Sequence, residues 1–202
     1  MKKTNNDSMF SVLIFGNKSS EQSFYLNKLT GKDTPCFIST IGINSEYKTI
    51  KIDNETIKLT IWNSVGQERI KHFSPIMLKK YTGIILLYDI TDRNSYTFLT
   101  ENDYCNQIKT IYGISVKVML IGNNCENEGN RQVTTEEAQI FASTNNMLFF
   151  EVSTITNNNI EESIIELTKE MLKLPKPLVN NENKINLSKT GKEQNHNCIS
   201  KK

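Results

Sequence analysis

Apolar residues along the chain switch between two periods. Met9 to Phe15 is an apolar-rich run that reads as a strand, and Gly16 opens a polar stretch before a helix expected from near Ser23. Ile50 and Ile52, then Ile57, Leu59 and Ile61, alternate with polar positions. Asp53-Asn54-Glu55 supplies turn chemistry between them, so the pair predicts an antiparallel hairpin. GIILLYDI (83–90) and VKVMLIGN (116–123) are almost continuously apolar, as strands are when helices cover both faces of a parallel sheet. Phe149 to Val152 gives one more short strand. Helical stretches lie between: one from around Ser95, and one after Thr134, where Thr134 and Glu137 have the spacing of a capping box. A last helix runs from about Asn159, with Ile160, Ile164, Leu167, Met171 and Leu174 at steps of 4, 3, 4 and 3 residues. Pro175 and Pro177 end it. Strands alternating with helices predict an α/β fold.

Length and charge narrow the picture. The 202 residues suit one domain plus a tail, and 37% hydrophobic with 23% charged residues is ordinary for a soluble globular protein. The expected division is a flexible N-terminus at 1–8, a domain at 9–174 and a disordered tail at 175–202, rich in Asn, Lys and Ser. Six Lys against two Glu give that tail +4, leaving −2 for the rest of a chain whose net charge is +2. Such a balance exerts no global pull toward nucleic acid, and none is expected as a partner. The basic tail is compatible with weak attraction to an anionic membrane and equally with plain solvation. Four scattered cysteines, without CxxC or zinc-like spacing, argue for a reducing compartment. MKKTNNDSMF carries no apolar core of signal-peptide length, and no run approaches the ~18 apolar residues of a spanning helix. A cytoplasmic protein is expected.

In an open α/β sheet, ligands bind where strands end, so the loops after the apolar runs are the candidates. The first, GNKSSEQS (16–23), can be laid against the phosphate-binding pattern of Gly, four residues, then Gly-Lys-Ser/Thr. Only Gly16 and Ser23 match, with Glu21 and Gln22 between them, and on these two matches alone a plain strand-to-helix loop is the better reading. A second segment carries more. KLTIWNSVGQE (58–68) resembles the KLQIWDTAGQE pattern of small GTPases, and Trp62 is Rab-like rather than Ras-like, though it also suits ordinary core. FISTIGINS (37–45) looks like a Rab switch I segment, and TGIILLYDITDRNSY (82–96) like the fourth strand and the helix after it. IGNNCE (121–126) falls where that family has GNKxD, and EVST (151–154) where it has ETSAK. In order and spacing over 9–174, the chain resembles the Rab branch of the small GTPases.

That resemblance implies a P-loop NTPase type of domain, with a mostly parallel six-stranded sheet, one antiparallel edge strand and helices on both faces. It implies GTP or GDP and Mg²⁺ as cofactors, and GTP hydrolysis as the activity. Carried over by position, Gly16 belongs to the phosphate loop, and Ser23 and Thr40 keep the Mg²⁺-ligand hydroxyls. Gly66 keeps the γ-phosphate amide, Gln67 the water-orienting place, Asn123 a guanine contact and Ser153 the final loop. Phe37, Ile38, Ser39, Thr40, Ile41, Gly42 and Ile43 form the segment that would meet effector and regulatory proteins. The chain departs from the family elsewhere. Gln22 replaces the phosphate-binding lysine, and Glu21 a glycine that lets backbone approach the ligand. Asn63 replaces the Mg²⁺-supporting aspartate, Asn124 and Glu126 the guanine-loop lysine and aspartate, and Ile155 a further lysine.

Each lost charge-assisted hydrogen bond costs ~1.5–3 kcal/mol. Two of them amount to about 3–6 kcal/mol, or roughly two to four decades of affinity. Like charge at Glu21 acts in the same direction, and hydrolysis suffers further because Gln67 works only on positioned phosphates. Two readings follow: a monomeric guanine-nucleotide switch of vesicle traffic with a weakened hold, and a pseudo-GTPase that binds trafficking partners without cycling. A different nucleotide is a third, more remote reading, since Asn124 and Glu126 no longer spell guanine. Family members attach to endomembranes through prenylated C-terminal cysteines. Here Cys198 lies one place too early for a CaaX signal, so a free thiol is the favoured reading and any endomembrane contact is peripheral.

Overall fold

The computed structural model describes residues 8–32, 44–63, 80–112 and 115–175. The strands are β1 (Ser8–Gly16), β2 (Asn44–Ile52), β3 (Glu55–Asn63), β4 (Gly83–Asp89), β5 (Lys117–Asn123) and β6 (Leu148–Glu151). They form a single six-stranded sheet in the order β2-β3-β1-β4-β5-β6. The β2–β3 pair is antiparallel and the other pairings are parallel. The hairpin expected from alternation is present: Ile52 faces Glu55 across a tight turn, where Asp53 takes a left-handed φ of 53°.

Helices cover both faces. On one side lie α1 (Ser19–Thr30) and α5 (Ile160–Leu172), whose Tyr25, Leu26, Leu29, Ile164, Leu167 and Met171 pack on Val12, Ile14, Ile85 and Ile121. On the other lie α2 (Arg93–Glu101), α3 (Tyr104–Tyr112) and α4 (Thr135–Thr144), over Leu13, Phe15, Leu86 and Leu120. Every residue of β4 is buried, which explains why its sequence shows no alternation. The cap at Thr134 is half of the anticipated motif. Its hydroxyl accepts from the Glu137 N–H at 3.1 Å, while the Glu137 carboxylate pairs with Arg93. The helix expected near Ser95 starts at Arg93, with Asp92 as its cap, and breaks after Glu101 before α3 begins.

One expectation is corrected. The polar loop from Gly16 and the helix start near Ser23 give way to a helix that opens at Ser19, with the Gln22 N–H on the Lys18 carbonyl at 3.3 Å. The reason is local: positions 17–22 hold no glycine or proline, and Glu21 in the first turn favours the positive end of the helix. Only Asn17 and Lys18 remain between strand and helix.

Gly16 has a packing duty of its own. A Cβ there would lie 2.4 Å from the Leu87 carbonyl oxygen, where β1 and β4 run side by side. Gly16→Ala is expected to destabilise the fold by roughly 1–3 kcal/mol, read as a lower urea midpoint in circular dichroism. An unchanged midpoint would mean that the two strands separate without cost.

Candidate functional site

Parallel register brings the strand ends to one margin of the sheet. Ile14 sits beside Asn63 and Ile85, Gly16 beside Leu87, and Asp89 beside Asn123. Beyond that margin lies a groove of about 620 Å³. Lys18 lines it from the turn after β1, Ser20, Glu21, Phe24, Asn27 and Lys28 from α1, and Lys32 from just after it. Asn123 and Asn124 follow β5, and Thr154 and Ile155 follow β6. Its size is that of a small-molecule site.

The first turn of α1 is tied back onto β1. Gln22 is 2% exposed, and its side-chain amide donates to the Gly16 carbonyl at 2.8 Å. That interaction holds the loop with no net charge. The cation of the turn is Lys18, whose ammonium lies 2.8 Å from Asp92, 3.3 Å from Glu21 and 3.6 Å from Asp89. Burial works against the lysine's charge, but Asp92 and then Glu21 raise its pKa. Burial, and then the neighbouring Asp89, push the Glu21 carboxyl up to about 7. Asp89 goes the other way: burial opposes its charge, but hydrogen bonds from the Thr91 hydroxyl and amide hold it below the usual carboxylate range. Glu21 is therefore the member of this carboxyl pair that takes the proton. One ammonium faces three carboxyls at this turn, while Lys28 and Lys32 bring two further cations to the groove wall.

Asn63, at the end of β3, donates its amide to the Ser23 hydroxyl at 3.1 Å, and its Oδ1 is buried with no hydrogen-bond partner among the described residues. Asn123 is a brace between loops. It accepts from the Thr154 N–H at 3.2 Å and donates to the Thr154 hydroxyl at 3.3 Å. Ser153 caps the turn after β6 by accepting from the N–H groups of Ile155 and Thr156. Asn124 takes a left-handed φ of 68° and lines the groove. Glu126 is exposed on the next turn and does not line the groove.

Gly16, Glu21, Gln22, Ser23, Asn63, Asn123, Asn124 and Ser153 thus converge on one end of the sheet. Thr40, Gly66, Gln67 and the segment Phe37, Ile38, Ser39, Thr40, Ile41, Gly42 and Ile43 lie outside the described residues, as do residues 176–202 with Cys198. Sequence reasoning missed Lys18, Phe24, Asp89 and Asp92. A carboxylate closing the apolar run GIILLYD was the available signal for Asp89. Among the described residues, no helix is long and apolar enough to cross a membrane.

A parallel sheet with a groove at its strand ends, bounded by a strand-to-helix turn, defines the class of nucleotide-binding α/β proteins. The Ras family model matches residues 8–173. Human "Ras-related protein Rab-3A" is 37% identical over 164 residues, which is 81% of this chain and 74% of that protein. "GTP-binding protein ypt2" of Schizosaccharomyces pombe is 34% identical over 168 residues, 83% of each chain. Rat "GTP-binding protein Rab-3D" is 36% identical over 159 residues, covering 78% of this chain and 72% of that one. The chain belongs to the Ras family and is a Rab-like small GTPase by descent, a family that binds GTP or GDP with Mg²⁺.

The raised Glu21 carboxyl makes stability depend on pH. Its folded pKa of about 7 lies above the ordinary 4.5, so between those values the folded chain holds the extra proton. The cost of ionised Glu21 is present above pH 7 and is relieved as pH falls through it. Between pH 8 and pH 6 this residue should add on the order of 1 kcal/mol to unfolding stability. Urea titrations should show that gain in the wild type and lose it in Glu21→Gln. The same slope in both would place the proton elsewhere.

Proposed function

We propose that this chain is a Rab-like protein of intracellular vesicle traffic whose hold on guanine nucleotide is weak and whose GTP hydrolysis is slow. The observation that carries this reading is the buried, uncharged Gln22 tied to the Gly16 carbonyl, at the place where the family resemblance expects a phosphate-binding lysine. Residues 9–174 would form the domain, with 175–202 as a tail, and the protein would act as a cytoplasmic monomer in peripheral contact with endomembranes. Switch segments, including Phe37 to Ile43, would meet effectors and regulators.

The residues fit the parts of a Mg²⁺–nucleotide complex unequally. The groove has room for a base and ribose. Gly16, Ser23, Gly66, Asn123 and Ser153 would surround the nucleotide, and Gln67 would orient water. Ser23 and Thr40 would hold Mg²⁺, but both are neutral, and Ser23 already accepts a hydrogen bond from the neutral Asn63. They suit a metal carried in by the phosphates, since Mg²⁺ sites ordinarily lean on a carboxylate as well. Glu21 at the mouth opposes a polyphosphate whenever it is ionised.

A second reading, a pseudo-GTPase that presents a Rab-like surface without cycling, is favoured by the early start of α1 at Ser19. Winding residues 19–22 into helix leaves less open loop to wrap a phosphate. Chromatography of nucleotide released from freshly purified protein separates the two. Sub-stoichiometric GDP or GTP supports the weak switch, an empty protein with a sharp melting transition supports the pseudo-GTPase, and full loading with rapid turnover removes both. In titration, Glu21→Gly with Gln22→Lys should tighten GDP binding by roughly ten- to a thousandfold. Unchanged affinity would show that these positions do not face phosphate.

A further inference from the structure

One side chain outside the groove gathers the two loops that form its far wall. Asn123 and Asn124 line the groove from the end of β5, and Thr154 and Ile155 from the loop after β6, with Arg131 behind them and not in the lining. A guanidinium has five N–H donors, and those of Arg131 are all used. Nη1 and Nη2 donate to the two carboxylate oxygens of Glu151 at 2.7 and 2.9 Å. Nε and Nη2 donate to Glu128 at 2.8 and 2.5 Å, and Nη1 also donates to the Val133 carbonyl at 3.0 Å. The side chains of Arg131 and Glu151 are 12% and 15% exposed, against 67% for Glu128. The Glu151 half of this node is therefore the desolvated one, and its forked geometry fixes where the two partners sit.

The node reaches the groove by two routes. Toward β5 the chain is a run of closed turns: the Asn127 N–H meets the Asn124 carbonyl at 2.9 Å, Asn130 meets Asn127 at 3.1 Å, and Arg131 meets Glu128 at 3.2 Å. Toward β6, Glu151 is the last residue of the strand, and Thr154 follows three residues on. The Cys125 N–H donates to the Val152 carbonyl at 3.1 Å, and the Thr154 N–H to the Asn123 side chain at 3.2 Å. Arg131 thus closes a ring whose opposite side is the groove wall. The N–H groups of Gln132 and Val133 both meet the Ile90 carbonyl, at 2.8 and 3.0 Å, so the chain after the node is held to the end of β4 independently of the guanidinium.

We infer that Arg131 is a positioning residue for nucleotide binding: its forked pairing with Glu151 holds the loops after β5 and β6 at the spacing at which Asn123, Asn124, Thr154 and Ile155 form one wall. This rests on the reading of the groove as a nucleotide site and adds what sets the geometry of that wall. Without the fork the two loops open locally, and a ligand must order them as it binds, which lowers its affinity.

Two measurements on the full chain test this. In the unliganded protein, Arg131→Met should speed hydrogen exchange at the Cys125 and Thr154 amides by roughly three- to thirtyfold, and by clearly less at Leu86 in the middle of β4, because local opening is separate from global unfolding. In calorimetric titration with the Mg²⁺ complex of GDP, Arg131→Met and Glu151→Met should each weaken binding by roughly three- to thirtyfold. The double variant should be no weaker than the worse of the two, since both remove one interaction. Equal acceleration at all three amides, an unchanged GDP affinity, or losses that add in the double variant overturns the positioning role and leaves the nucleotide site standing. No GDP binding by wild-type protein overturns the nucleotide reading and the positioning role with it. Should Arg131→Met fail to fold, Arg131→Lys takes its place, because it keeps the charge but not the fork. A smaller loss of affinity is then expected, and an unchanged affinity counts against the inference.

Discussion

The hydrogen bond from the buried Gln22 amide to the Gly16 carbonyl fixes how β1 passes into α1, and much of the site follows from it. Gly16 is pinned from the other side by β4, whose Leu87 carbonyl leaves no room for a side chain. With both ends held, the two residues between have little freedom, and Lys18 emerges beside Asp92. An amide satisfies the carbonyl as well as an ammonium would, and it does so without placing a charge in a site that excludes water.

The charges that remain are pushed to the rim. Lys18 and Asp92 are partly exposed, so their 2.8 Å contact adds little to stability on its own. Its effect is positional: it holds an ammonium against the ionised Asp89 and against Glu21, the one of the two that takes up a proton near neutrality. Asp89 also organises the chain beyond β4 by accepting from the Thr91 N–H and hydroxyl, and the Asp89 N–H meets the Ser95 hydroxyl. Asp89 therefore ties the turn after β1, through Lys18, to the start of α2, through its own N–H.

The fold was readable because its signals are collective. The unbroken apolar runs at 83–90 and 116–123, the alternation from Ile50 to Ile61 and the 3–4 spacing from Ile160 each sum many residues, and no single substitution erases them. The break between Glu101 and Tyr104 was not readable, since its residues Asn102 and Asp103 are only mild helix breakers. The site was legible only in outline. Gly16, Ser23, Asn63, Asn123 and Ser153 do come together, because strand order determines which ends meet. The path of Gln22 and the inward burial of Glu21 were not legible, because they depend on a helix that starts four residues earlier than the loop motif implied. Lys18 and Phe24 occupy positions for which the motif specifies no residue, and a motif is silent where it has no letter.

The replacements also make sense as a set. Compared with the family pattern, Gln22 stands for a cation and Asn63 for an anion, so the pair removes one charge of each sign. A buried lysine and aspartate are stable while Mg²⁺ and phosphate neutralise them, and each is costly to keep desolvated when the ligand leaves. Two amides carry no such cost. Gln22 bonds the Gly16 carbonyl, Asn63 bonds Ser23, and the buried atom that these amides leave without a partner among the described residues is the neutral Asn63 Oδ1. Neither amide therefore needs a bound nucleotide to neutralise it. Glu21 fits the same logic, since a carboxyl that is protonated near neutral pH can be buried there without an unpaired charge. The chemistry at these three positions thus leaves no buried charge there that depends on a ligand for its neutralisation.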